Sequence, residues 1–502
     1  MRFPRSCGIL LHPTSFPSRY GTGDLGNEAK TFIDFLVNTN QTIWQVLPLG
    51  PTGYGNSPYA SYSAFAGSSY LISLDKLAEK GLLQNKEVRM AELPVTTKAE
   101  YEKSYILKDA LYRKASDGFY AGLTKEESAK LNKFKKANKF WLDDYCLFMA
   151  CSLLNQKKPW NLWEKGLAQR EKGALKEFKK EYEELIKHQL WMQYEFFNQW
   201  YELKSYANEK GVRVIGDIPI FVDHNSADVW ANPSYFAVDK QGNRKLVAGV
   251  PPDYFSETGQ LWGNPLYNWK TLEKDGFSWW IERFRQMFEL YDAIRVDHFR
   301  GFDAYWEVKA NEKTAIKGRW VKAPGQKLFE TIKAKLGELP IIAEDLGVMT
   351  PSVEALRDGF NFPGMKIIQF AFDSDSSNDF LPHNYSQNSV AYTGTHDNDT
   401  SIGWYKLAPE IQKHRMREYT RSNGDEVEWE LIRLALLSVS DQAIIPLQDY
   451  MSLDTEHRMN LPATVGNNWL WRYTPEMLEG VDRDRIRGLV ELSNRKAADS
   501  SD

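Results

Sequence analysis

Apolar positions along this chain follow two rhythms. Short unbroken runs, each stopped by a polar residue, a glycine or a proline, alternate with longer stretches whose apolar residues recur every three or four positions. The first run, Gly8-Ile9-Leu10-Leu11-His12-Pro13, reads as a buried strand. Residues 28–38, with Phe32, Phe35 and Leu36 on one face, read as a helix. Residues 43–48 repeat the strand pattern and enter a loop of glycine, proline and tyrosine, 50–59. The strand signature returns at 212–219, 293–296, 340–346, 365–370, 389–393 and 441–446, and helical patterns at 277–291, 326–335 and 426–437 separate most of these. Apolar strands interleaved with amphipathic helices imply a parallel sheet covered by helices, and eight of them imply a closed (β/α)8 barrel.

Two stretches break the alternation. Residues 74–209 are lysine-rich and helical in pattern, with Pro94 and Gly118 as breaks and Tyr101, Tyr105, Ala110 and Tyr112 at helical spacing. Within them, 140–154 is a more apolar helix and 178–210 a long amphipathic one carrying Trp191, Phe196, Phe197 and Trp200. We read about 74–175 as a helical insertion on a single barrel spanning 1–502, with the last helix rejoining the barrel. A second insertion, about 223–275, is irregular and too rich in structure-forming residues for a passive linker.

Composition narrows the class. With 502 residues, 42% of them hydrophobic, the chain can bury a large core. A net charge of −4 argues against nucleic-acid binding and polybasic membrane anchoring. Cys7, Cys146 and Cys151 are odd in number and lack metal-site spacing, which fits reduced thiols in a cytoplasmic protein. No apolar leader or membrane-length run is present. No HExxH pair, phosphate-cradling GxxxxGK[ST] or dinucleotide fingerprint occurs, and Asp397-Asn398-Asp399 lacks the spacing of a calcium loop. The expectation is an enzyme without cofactor or metal, a monomer or weak homo-oligomer.

The chemistry concentrates at three strand ends. In Ala293-Ile294-Arg295-Val296-Asp297-His298, Arg295 and Asp297 are two apart and project to one side, so the guanidinium favours the ionised carboxylate. The fifth strand ends in Glu344, on an apolar segment without a basic neighbour, and the seventh in His396-Asp397. Barrel strands deliver such residues to one mouth. Glycoside cleavage with retention needs an ionised nucleophile and a protonated acid about 5–5.5 Å apart. Asp297 suits the first and Glu344 the second. Asp397 is placed to hold sugar hydroxyls and distort the ring, with His396 as a second donor. Singly, Arg295–Asp297 also reads as a structural ion pair, and Glu344-Asp345 and Asp397–Asp399 as turns or helix caps. Three acids on three strand ends favour catalysis.

Segments 8–26, 44–67, 216–221, 251–265, 293–301, 341–347, 363–372, 392–400 and 458–472, which include these acids, together resemble one family. The chain resembles the 4-α-glucanotransferases (amylomaltases, or disproportionating enzymes) of glycoside hydrolase family 77 in the α-amylase clan. The resemblance implies Asp297 as nucleophile, Glu344 as acid/base and Asp397 as the carboxylate stabilising the transition state. It places Arg295, His298 and His396 around the donor sugar and Asp217 at the end of the third strand. Ser57, Tyr59, Asp253, Gln260, Trp262, Phe370 and Asn468 fall on its glucan-binding loops. It implies α-1,4-glucan and maltooligosaccharide donors and acceptors, glucose included, and no C-terminal β-sandwich. The second insertion is then expected to shape the glucan cleft. We further expect Tyr54, Tyr59 and Trp262 to overhang the acceptor side and favour sugar over water. One departure is Ala463, where the family pattern leads us to expect Gly or Ser.

Overall fold

The apolar runs form eight parallel strands: β1 (Ser6–Leu10), β2 (Ile43–Gln45), β3 (Arg213–Ile218), β4 (Ala293–Val296), β5 (Ile341–Ala343), β6 (Gly364–Ile367), β7 (Ser389–Tyr392) and β8 (Gln442–Pro446). This computed structural model describes residues 3–252, 256–464 and 466–496. In space the strands run β6-β7-β8-β1-β2-β3-β4-β5. At the remaining seam the Ala343 N–H donates to the Pro363 carbonyl at 2.9 Å, bringing the end of β5 to the start of β6. The sheet therefore curls into the (β/α)8 barrel expected of consecutive parallel strands. Every residue of β1, β4, β7 and β8 is buried, because helices cover one face and the barrel interior the other.

The covering helices supply that outer layer. Asn27–Asn38 follows β1, Ser278–Leu290 precedes β4, Gly325–Leu336 precedes β5 and Val427–Leu437 precedes β8. Before β3 stands Glu183–Glu209, whose Trp191 and Trp200 are fully buried. The Trp200 indole donates to the Leu290 carbonyl at 3.0 Å, so burying its ring leaves no polar atom unpaired. The pattern over 178–210 is divided at Tyr182 between Lys172–Glu181 and this helix. Gly118 does not break a helix: it lies inside Tyr101–Ala121, where one glycine costs only about 1 kcal/mol relative to alanine.

The chain from 223 to 269 is more regular than its sequence suggested. Leu246–Val250 and Gln260–Pro265 are strands of a four-stranded antiparallel sheet completed by Ala304–Lys309 and Gly318–Lys322, which fall between β4 and β5. It carries Trp262 toward the residues after β4. Among the described residues, no helix is long and apolar enough to cross a membrane.

Candidate active site

Parallel strands bring all their C-terminal ends to one side of a barrel, and backbone hydrogen bonds continue past the strands there. The Asp297 N–H donates to the Ile218 carbonyl at 2.9 Å, the Glu344 N–H to Val296 at 3.0 Å and the Phe299 N–H to Glu344 at 3.1 Å. Asp217, Asp297 and Glu344 thus leave neighbouring strands side by side.

Arg295 is the hub of the first half of the site. Its Nη1 donates to Asp217 Oδ2 at 2.7 Å and its Nη2 to Asp297 Oδ1 at 2.9 Å. The Arg295 side chain is 4% exposed and that of Asp217 0%, whereas that of Asp297 is 30% exposed and reaches solvent. Burial would pull the guanidinium down, but Asp217 and Asp297 outweigh it and hold Arg295 charged. Burial pushes the Asp217 carboxyl up, against the pull of Arg295 and of the Tyr59 hydroxyl, which donates to Asp217 Oδ2 at 2.6 Å. An acid with no partner would lose its charge in such a place; shared between a guanidinium and a phenol, the pair persists.

Glu344 has no such partner. Its carboxyl accepts two main-chain N–H groups, His298 at 2.7 Å on Oε2 and Leu346 at 2.9 Å on Oε1. Burial, then repulsion from Asp297, raises it to about 7, although Arg295 and these two donors pull the other way. At neutral pH it is poised between proton donor and acceptor.

Asp397 approaches from the loop after β7. Its Oδ1 accepts from Asn460 Nδ2 at 2.6 Å and stands 3.4 Å from His396 Nε2. The His396 ring stacks on Tyr59, centroids 5.1 Å apart and planes 17° from parallel, and Trp469 borders both rings. Asp397, His396, Tyr59, Asp217, Arg295 and Asp297 therefore form one continuous series of contacts from three strand ends and the β2 loop.

The remaining expected residues divide by position. Trp262 meets the His298 ring edge-on, centroids 4.8 Å apart at 87°, and its indole donates to Gln260 Oε1 at 3.2 Å. Ser57 accepts the Tyr59 N–H at 3.3 Å and so shapes the β2 loop. Phe370 follows β6 and packs on Phe380. The Asn468 amide is spent on its own loop, accepting the Leu461 N–H at 3.0 Å and donating to Thr464 Oγ1 at 3.1 Å and the Thr464 carbonyl at 3.2 Å. Tyr59, expected beside Trp262, is instead committed to Asp217 and His396, because its hydroxyl finds a buried carboxylate there. Asp253 lies outside the described residues, as does the side chain of Tyr54.

Three contributors escaped the sequence reading. Asn460 orients Asp397, Arg458 donates to the Asp397 carbonyl and, at 2.6 Å, to that of Asn460, and Trp469 borders Tyr59 and His396. The Asn460–Asp397 separation of 63 residues explains the miss; the signal was that Arg458-Met459-Asn460 opens the matching segment 458–472. Ala463, the departure noted in the sequence, has φ 61°. This is the left-handed region that glycine adopts freely and alanine at a cost.

The sequence profile of the 4-alpha-glucanotransferase family matches residues 11–478. A 4-alpha-glucanotransferase of Thermus thermophilus is 48% identical over 503 residues, covering 99% of this chain and 100% of that protein. The chloroplastic/amyloplastic 4-alpha-glucanotransferase of Solanum tuberosum is 44% identical over 478 residues, 93% of this chain and 82% of that protein. The solved amylomaltase of Streptococcus agalactiae, in complex with acarbose, superposes with a TM-score of 0.95 at 39% identity, covering 98% of this chain and 100% of that one. With a profile match across most of its length and relatives almost half identical from end to end, the chain belongs to the 4-alpha-glucanotransferase family of enzymes.

Proposed function

We propose that Asp297, Glu344 and Asp397 perform the family's transfer of an α-1,4-glucan segment to the 4-hydroxyl of another glucan or of glucose, by double displacement with retention. Asp297 attacks the anomeric carbon of the donor sugar while Glu344 gives its proton to the departing 4-oxygen. The shortened glucan leaves and the transferred segment is held as an ester on Asp297. An acceptor enters, Glu344 takes the proton of its 4-hydroxyl, and the freed oxygen displaces Asp297 from the anomeric carbon. Each displacement inverts that carbon, so the α configuration is kept. Asp397, with His396 beside it, holds the sugar's 2- and 3-hydroxyls and favours the flattened ring of the transition state.

The observation that carries this reading is the contrast between Asp297, bound to a buried guanidinium, and Glu344, bound only by amides and raised to about 7. Trp262 guards the acceptor side, where an apolar face stacks on sugar and offers water no partner. The substrates are maltooligosaccharides and α-1,4-glucans. Three buried free cysteines support a cytoplasmic setting. Incubation with maltotriose tests the reading: glucose together with oligomers longer than the substrate is the expected product set. Glucose and maltose without elongation would mean hydrolysis and overturn the transfer assignment.

A further inference from the structure

The residue that follows the nucleophile has an unusual backbone. His298 lies at φ 50° and ψ 51°, a left-handed conformation that L residues with a β-carbon rarely adopt. Such strain gathers at functional sites, where the surroundings impose it. Here the conformation aims the His298 N–H at Glu344 Oε2, 2.7 Å away. The imidazole is held on two sides. Trp262 meets it edge-on at 4.8 Å, and a β-carbon at Gly301 would come within 3.0 Å of His298 Cδ2. The absent side chain at Gly301 leaves the ring its place.

We infer that His298 is a positioning residue whose left-handed main chain fixes the Glu344 carboxyl in its working orientation, joining the acid/base to the Trp262 side of the cleft. The inference rests on the acid/base reading of Glu344 and deepens it. Leu346 anchors one carboxyl oxygen and His298 the other, so losing the His298 donor leaves the group free to rotate about its last bond. The charged groups facing Glu344 come from β4, Arg295 pulling toward the ionised form and Asp297 away from it. Asp345, next in sequence, is occupied elsewhere, accepting from Arg357 at 2.5 Å and from the Met365 N–H at 2.8 Å. The His298 ring adds no charge near neutrality, since burial lowers it to about 4.

Three variants separate the main chain from the ring. His298→Asn removes the imidazole but keeps a residue that tolerates the left-handed region; His298→Ala tolerates it less, and His298→Val, branched at the β-carbon, least. The readout is the alkaline limb of kcat/KM on maltotriose, which reports protonated Glu344 in the free enzyme. A donor to a carboxylate favours the charged form, so its loss moves that limb to higher pH. Expected are a limb near the parent's for His298→Asn, one higher by roughly a pH unit for His298→Val, and an intermediate one for His298→Ala. If His298→Val does not fold, the Asn and Ala variants decide between them. Equal limbs across the series overturn the inference, and so does a limb shifted as far in His298→Asn as in the others, which would assign the effect to the ring. Loss of the alkaline limb in Glu344→Gln separates this test from the underlying role: if that limb survives, it is the acid/base assignment that fails.

Discussion

Asp297 and Glu344 leave adjacent barrel strands, yet the two halves of the site around them are built from different materials. Around Asp297 the contacts are between side chains: a guanidinium shared with Asp217, a phenol behind that, and a histidine stacked on the phenol. Around Glu344 they are main-chain amides and apolar strand residues. A buried guanidinium stabilises only the ionised form of its neighbour. Amides orient a carboxyl while adding less charge, and burial then lifts its affinity for protons. On the proposed reading, the half built on a guanidinium holds the nucleophile and the half built on amides holds the acid that gives and takes the proton.

Exchanging the chemistry of either half should break the contrast in different ways. Asp297→Asn removes the attacking oxygen and leaves Arg295 with one carboxylate; turnover on maltotriose should fall by about 10⁴-fold or more. Glu344→Gln keeps the shape but not the proton, and kcat should drop by about 10²–10⁴-fold. The parent's kcat/KM should decline as pH rises through about 7, and this variant should lose that limb. The same substitution has a stability signature. The Glu344 value in the folded chain lies above its usual 4.5, so its contribution to stability is complete below that value and is lost as pH rises through about 7. Melting curves should therefore show Glu344→Gln gaining on the parent as pH rises from about 4.5 to about 7 and holding that gain above it, with none at pH 4.

Smaller changes sharpen the comparison. Tyr59→Phe deletes the phenol that supports Asp217; a loss of about 1–2 kcal/mol in stability and several-fold in kcat is expected, from paired melting and rate measurements. Truncation of Trp262 to Ala leaves both carboxyl groups intact and should act on the acceptor instead. The ratio of glucose-plus-maltose to elongated products from maltotriose should rise a few-fold, and an unchanged ratio would remove Trp262 from water exclusion.

The barrel was legible because each strand is an apolar run stopped by a polar residue, proline or glycine, a signal that survives without tertiary information. Asp297 and Glu344 were legible as candidates because each directly follows such a run, and Asp397 because it lies in the loop just past another. The antiparallel sheet was not, since Gln260–Pro265 and Gly318–Lys322 are mostly half-exposed or exposed and carry no apolar run, and the two hairpins they belong to join only through Leu246–Val250 and Ala304–Lys309, which are distant in sequence. Sequence could place Arg295 beside Asp297, two residues apart, but not beside Asp217, 78 residues away. The same limit hid Asn460 and the left-handed turn at His298, which depends on what surrounds it. Ala463 lies between these cases: the family pattern led us to expect Gly or Ser there, and the positive φ is a physical reason for glycine.

The division of labour between the two carboxyl groups is tested most directly by trapping the sugar ester. Glu344→Gln should still form a glycosyl-enzyme from α-maltosyl fluoride, whose leaving group needs little help from an acid, and should discharge it slowly for want of a base. Peptide mass spectrometry of the quenched protein should then find the added maltosyl mass on the peptide that contains Asp297, and fragmentation should place it on that side chain. A label on Asp397, Asp217 or any other carboxyl group, or inverted product with no label at all, would contradict the account.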